Sequence, residues 1–135
     1  RSRKPITVGR TDPRKDLEAV LTEGEKKLSE GSSIIIFPQS TRKVNFNPRH
    51  FNSLGVKLAR NSGVKVVPIA LKTDFWENGK ILSGFGKIRR KRTIHFEFGA
   101  PLSIKGQGKN EHKQVVKFIT SRLAKWGSTI QDGAQ

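Results

Sequence analysis

The stretch Ser33-Ile34-Ile35-Ile36-Phe37-Pro38-Gln39-Ser40-Thr41-Arg42 decides how this chain is read. Its apolar run carries no helical period and reads as a buried strand over Ser33 to Phe37, stopped by Pro38. An amide, two hydroxyls and a guanidinium then leave the strand end at positions 39–42. In α/β folds ligands gather just beyond the carboxyl ends of strands. Gln39, Ser40, Thr41 and Arg42 are therefore the first candidates for a binding site. Arg42 offers a planar fork of donors that matches a phosphate bidentately, and Ser40 and Thr41 can donate further bonds, so the chemistry suits an oxyanion. The competing reading is an ordinary polar turn with a solvated arginine.

Upstream, Thr11-Asp12-Pro13 places a capping side chain before a proline suited to the first helical turn. Leu17, Val20, Leu21 and Leu28 then recur at helical spacing as far as Gly31. Downstream, Asn47-Pro48 repeats the cap-then-proline start. Phe51, Leu54, Leu58 and Ala59 predict a second amphipathic helix closed by Ser62-Gly63, and Val64 to Leu71 a second core strand. After Asp74 the chain loosens into turns at Trp76, Asn78-Gly79, Gly84 and Gly86. It then enters a strand from Thr93 to Phe98, where alternation predicts Ile94, Phe96 and Phe98 buried and Thr93, His95 and Glu97 wet. A last helix, about Asn110 to Trp126, carries Val115, Val116, Ile119, Leu123 and Trp126 on one side. Helices alternating with core strands predict an α/β fold, a mostly parallel sheet flanked by helices.

The chain has 135 residues, one domain's worth of polypeptide. Its 27 Lys+Arg against 11 Asp+Glu give a formal charge of +16, so an anionic partner is expected. The absence of Cys excludes disulfide scaffolds, thiolate metal sites and cysteine nucleophiles. No apolar stretch approaches the roughly 20 residues of a membrane span, and no signal-peptide pattern follows the basic first residues. The chain starts at Arg1 and contains no Met, which reads as a piece of a longer protein lacking its N-terminal part.

Phe37 to Arg42 reads F-P-Q-S-T-R and resembles the third motif, F-P-E-G-T-R, of the 1-acylglycerol-3-phosphate acyltransferases, also called lysophospholipid acyltransferases. Ile6-Thr7-Val8-Gly9-Arg10 before a helix looks like the family's second motif, with Arg10 as its arginine. Val66-Val67-Pro68-Ile69-Ala70-Leu71 is similar to the fourth, V-V-P-V-A. These matches fall in the family's order across residues 6–71, and the remainder is compatible with the family's C-terminal strands and helix.

The sequence departs from the family in two places. The first motif, H-x-x-x-x-D, which supplies the family's catalytic His and Asp, is absent: the fifth residue after His50 is Gly55, after His95 Ala100, and after His112 Lys117. In the family that motif precedes the second one, which here places it before Arg1. Gln39 and Ser40 stand where the family has Glu and Gly, which removes a carboxylate and bears on the identity of the acceptor.

The resemblance implies residues 1–130 as the C-terminal part of a single acyltransferase domain, glycerolipid acyltransferase-like and incomplete at the N-terminus, with 131–135 a frayed tail. The implied enzyme moves an acyl group, not an aminoacyl group, from acyl-CoA or acyl carrier protein to a hydroxyl of lysophosphatidic acid or a related lysophospholipid. It binds no cofactor, and it works at a membrane on the cytoplasmic face. The part in hand would position the acceptor, with Arg10 and Arg42 against its phosphate, Gln39, Ser40 and Thr41 at hydroxyl or phosphate oxygens, and Pro68 shaping the wall. This chain alone would be inactive.

Other signals are weaker. Gly84-Phe85-Gly86 lacks the third glycine of a dinucleotide loop, and Gly106-Gln107-Gly108-Lys109 lacks the spacing of a P-loop. The three histidines read as surface residues, and no pair has metal-ligand spacing. Lys87, Arg89, Arg90, Lys91 and Arg92 form a basic run suited to anionic headgroups. They would also serve a noncatalytic module binding anionic lipid or nucleic acid. The nucleic-acid reading is disfavoured, because no base-reading motif accompanies the cations.

Overall fold

A computed structural model describes residues 5–6, 12–38, 45–73 and 93–131. Helix α1 spans Pro13–Ser29. As the sequence predicts, Asp12 caps it: its Oδ1 accepts from the backbone N–H groups of Arg14 at 3.0 Å and Lys15 at 3.3 Å, and Pro13 fills a position whose N–H would have no helical partner. The Asn47-Pro48 start delivers only a 3₁₀ turn, Pro48–His50. Helix α2 follows at Leu54–Ser62 and ends on Gly63 in the left-handed conformation, with φ 66°. Val56, Leu58 and Ala59 form its buried stripe. It lies against α1 so closely that a Cβ on Gly24 would stand 2.9 Å from both Leu58 methyl groups.

The strands differ more from expectation. Residues 33–37 join no ladder, although their exposure alternates: Ile34 and Ile36 are half-buried, and Ile35 and Phe37 exposed. An apolar run favours a buried strand, but a strand also needs a neighbour about 4.8 Å away, and among the described residues this run has none. Strand β1 is Ile69–Lys72, shorter than the predicted Val64 to Leu71. Pro68 has no N–H to give to a ladder, and Val66 upstream makes only an isolated antiparallel bridge to Leu102. Strand β2 is His95–Phe98. It pairs antiparallel with β1 in the register Ile69 to Phe98 and Leu71 to Phe96. The described residues thus form a small α/β structure with a two-stranded antiparallel ribbon, in place of the expected mostly parallel sheet.

Helix α3, Lys109–Lys125, supplies the main core. Val115, Ile119 and Leu123 recur every four residues and are buried with Phe46, and Phe51, Val66, Leu102, Phe118, Trp126 and Ile130 close around them. This is the stripe the periodicity predicts. Glu111 extends it by one turn and is also buried, a carboxylate in the first turn of a helix whose dipole favours negative charge. The ribbon meets α3 through the face bearing Ala70, His95 and Glu97. Ala70 is fully buried, His95 stacks on Trp126 with centroids 5.1 Å apart, and Arg122 Nε donates to Glu97 Oε1 at 2.6 Å. Lys72 Nζ donates to the Trp126 carbonyl.

That packing reverses the expected orientation of β2. Phe96 and Phe98 are 54% and 61% exposed, and Ile94 is also exposed, whereas His95 and Glu97 are half-buried. A short ribbon can give only one face to a single helix, and the small Ala70 and Gly99 let α3 approach on the polar-bearing side. The tail is also better held than expected at its first residue, since the Gln131 N–H donates to the Phe46 carbonyl at 2.9 Å and Ile130 bridges Phe46 in parallel.

The turn into α3 rests on Gly108, with φ 73° and an added Cβ only 2.6 Å from Val56 Cγ1. Gly108→Ala therefore combines a left-handed backbone with a core clash, and is expected to cost roughly 2 to 3 kcal/mol in urea denaturation. Gly106 also has positive φ, 53°, but open space around its Cβ position. Gly106→Ala should cost only about 1 kcal/mol.

Candidate functional site

The described residues that flank positions 39–44 are held at two points. On the leading side Asn52 reaches back to Pro38: the side-chain Nδ2 donates to the Pro38 carbonyl at 3.0 Å, and the Asn52 backbone N–H approaches the same oxygen at 3.5 Å. Asn52 Oδ1 meanwhile accepts from the Leu54 N–H at 3.1 Å, satisfying a donor that the start of α2 leaves without a helical partner. One side chain thus ties the end of the F-P half-motif to the start of a helix. On the trailing side Phe46 is buried, its N–H donates to Thr129 at 3.1 Å, and its ring lies edge-on to Phe51 at 6.0 Å. The described residues on either side of positions 39–44, Pro38 and Phe46, are thus each held by contacts of their own.

Gln39, Ser40, Thr41 and Arg42 themselves lie outside the described residues, as do Arg10 and the basic run Lys87, Arg89, Arg90, Lys91 and Arg92. Of the expected site residues Pro68 is described. It is buried, and its carbonyl accepts from the Gly99 N–H at 2.8 Å. Its ring packs where a Cβ on Gly99 would meet Pro68 Cγ at 2.7 Å and Phe118 at 3.2 Å. Pro68 thus packs at the junction of β1, the end of β2 and α3.

The histidines divide. His50 is exposed, as expected. His95 and His112 are half-buried, His95 against Trp126 and His112 beside Phe51 at 6.0 Å, so for these two the surface reading is corrected. Aromatic neighbours account for both positions. Among the described residues no group of His, Cys, Asp and Glu could hold a metal ion. A shallow cavity of about 180 Å³ at the end of α2 is lined by Arg60, Lys65 and Ser103 among others, but Arg60 already donates to Gln107 at 2.8 Å.

Asn52 is the residue that sequence reasoning missed. The signal was present: Asn52-Ser53 immediately precedes the apolar period of α2, and an Asx side chain there is a helix-start pattern. The stronger Asn47-Pro48 pattern drew the assignment upstream.

Comparison with known proteins gives one informative likeness. The chain is 29% identical over 126 residues to the 1-acyl-sn-glycerol-3-phosphate acyltransferase of Pseudomonas aeruginosa, a match that covers 93% of this chain and 45% of that protein. The chain thus spans about half the length of the curated relative it matches. The likeness supports the acyltransferase family to which the motifs point. No protein-family model matches the chain, and no solved structure does. No described helix is long and apolar enough to cross a membrane.

Asn52→Ala removes both the tie to Pro38 and the acceptor for the Leu54 N–H, and is expected to cost roughly 1 to 2 kcal/mol. Asn52→Asp keeps the oxygen that caps Leu54 but loses the donor to Pro38. Urea denaturation of the two variants separates the contributions, with Asp falling between parent and Ala.

Proposed function

We propose that this chain is the acceptor-positioning portion of an acyltransferase that moves an acyl group from a thioester, on coenzyme A or acyl carrier protein, to a hydroxyl of lysophosphatidic acid or a related lysophospholipid. The observation that carries this reading is the likeness to the P. aeruginosa acyltransferase over nearly the whole chain. The F-P-Q-S-T-R and V-V-P-I-A-L segments, in the order of the family's motifs, add support. In this reading the chain holds the acceptor by its phosphate. Arg42 and Arg10 supply guanidinium forks, Gln39, Ser40 and Thr41 supply single hydrogen bonds, and Pro68 fixes the wall behind them. The held flanks at Pro38 and Phe46 fit this role, since orientation is worth most when positioning groups start from fixed points.

The attacking hydroxyl also needs a general base within about 3 Å. The family's His–Asp pair has no counterpart in residues 1–135. The base is therefore assigned outside them, and the chain alone transfers no acyl group. In the assembled protein, Arg42→Lys should lower kcat/KM for the phosphorylated acceptor by about tenfold to a hundredfold, because a charge-assisted bidentate contact worth roughly 1.5 to 3 kcal/mol is replaced by a point charge. The loss should shrink for the same acceptor without its phosphate. An equal loss for both would mean that Arg42 holds the loop and not the substrate.

The formal charge of +16 favours a second reading of the same molecule, as a surface for anionic lipid. We propose that it brings the protein to membranes on the cytoplasmic side, with Lys87, Arg89, Arg90, Lys91 and Arg92 as the densest cation run. Vesicles containing phosphatidylserine should bind the chain at low salt and release it as salt rises, since the Debye length is about 8 Å at physiological ionic strength. Neutralising those five residues should weaken sedimentation with vesicles. Unchanged lipid binding accompanied by lost affinity for nucleic acid would favour the noncatalytic nucleic-acid module instead.

A further inference from the structure

The two long helices carry their charge differently. In α1 four cations are balanced by four acids, and Glu23 pairs with Lys27 one turn away at 3.6 Å. In α3 the cations are Lys109, Lys113, Lys117, Arg122 and Lys125, against the single acid Glu111, which is buried. Arg122 is already held by Glu97. The four lysines are exposed, and none of them forms an ion pair with a described residue. At about 3.6 residues per turn, the buried stripe through Val115 and Ile119 fills one side of the helix, and Lys113 and Lys117 fall on the opposite side. Neighbouring exposed positions there are neutral, Asn110, Gln114 and Ser121 among them. Lys109, Lys113 and Lys117 follow one another at i, i+4, a like-charge spacing that weakens a helix. A local rule broken with no compensation among the described residues marks a surface shaped for something else.

We propose that the lysine face of α3 docks an acidic helix of the acyl carrier protein that brings the donor thioester. The choice of a carrier protein rests on the acyltransferase reading above; the fit to an acidic helix rests on α3 itself. Carboxylates at i, i+4 on a partner helix recur about every 6 Å along its axis, the interval at which Lys109, Lys113 and Lys117 recur here. Laid lengthwise, two such helices bring several opposite charges together at once, which speeds encounter and fixes orientation. The row from Lys109 to Lys125 is about 24 Å long at 1.5 Å per residue. Coenzyme A gathers its phosphates at one end and cannot follow a row of that length. A helix that binds a membrane surface buries its apolar side in the lipid, whereas α3 gives its apolar side to the core. Phosphates of nucleic acid are best met by guanidinium forks, and the arginine of α3 is engaged by Glu97.

Binding of the 135-residue chain to a fluorescently labelled acyl carrier protein, bearing its phosphopantetheine, is read by anisotropy across a salt series. The paired change Lys113→Glu with Lys117→Glu should weaken binding at low salt by about tenfold or more and flatten its dependence on salt. Lys15→Glu with Lys26→Glu makes the same change of net charge on α1, and should weaken binding by less than about twofold. All four lysines are exposed, so melting temperatures should stay within about 2 °C of the parent. Should the reversal on α3 disturb the fold, Lys113→Gln with Lys117→Gln is read in its place, with a loss of about threefold expected. In the assembled protein the α3 change should raise KM for the carrier-borne donor by about tenfold, and leave its kcat and the KM for acyl-CoA unchanged.

Carrier binding that survives the α3 change intact would overturn the proposal. Equal losses from the α1 and α3 changes would also overturn it, since attraction would then follow net charge and no particular face. Binding of phosphatidylserine vesicles or of duplex DNA that depends on Lys113 and Lys117, with carrier binding unaffected, would assign the face to a membrane or to nucleic acid and overturn it as well. Acyl transfer is assayed separately from binding. Docking that depends on the lysines, without acyl transfer, would support the face and count against the function proposed above. Transfer from both donors that ignores the lysines would keep that function and remove the face.

Discussion

The rest of the described structure depends on the seating of the β1–β2 ribbon on α3. A strand shows alternate residues to opposite sides, so a two-stranded ribbon must choose which face to give a single helix. Here the choice is made by size and polarity together. Ala70 and Gly99 leave room for the helix to approach, with a Cβ on Gly99 reaching to 3.2 Å from Phe118 of α3. His95, Glu97 and Lys72 then find Trp126, Arg122 and the Trp126 carbonyl along it. The ion pair between Arg122 and Glu97 is partly exposed and so contributes little to stability. Its effect is to fix register and orientation.

The residues flanking the candidate site are tied to α3 and α2 by a short set of contacts. The α3 stripe buries Phe46, on the C-terminal side of positions 39–44. Gly108, at the start of α3, lies where its absent Cβ would touch Val56 of α2. That close approach brings α2 against the turn into α3, and Asn52 just before α2 holds Pro38. Core packing and the hold on Pro38 and Phe46 are thus parts of one arrangement.

The helices were legible in the sequence and the sheet was not, for a physical reason. Asp12-Pro13 and the four-residue recurrence of Val115, Ile119 and Leu123 are local signals whose meaning does not depend on distant residues. Alternation in Thr93 to Phe98 correctly indicates two unlike faces, but the face that is covered depends on what else is present. Ordinary polarity assigns Phe96 and Phe98 inward, yet the helix in this chain takes the other side. The apolar run 33–37 joins no ladder among the described residues, and a ladder is a property of two segments. In the candidate site, Arg42 and its neighbours lie outside the described residues, whereas the role of Asn52 required the contact with Pro38, 14 positions earlier in the chain.

The central claim is that residues 1–135 hold a lysophospholipid by its phosphate. Its most direct test is titration of the isotopically labelled chain with a short-chain lysophosphatidic acid below its micelle concentration, followed by amide resonances, beside the matching monoacylglycerol. The account predicts saturable shifts centred on residues 38–42, extending to Asn52, with the phosphorylated lipid alone. Equal shifts with both lipids, or phosphate-dependent shifts confined to the basic run at 87–92, would contradict it.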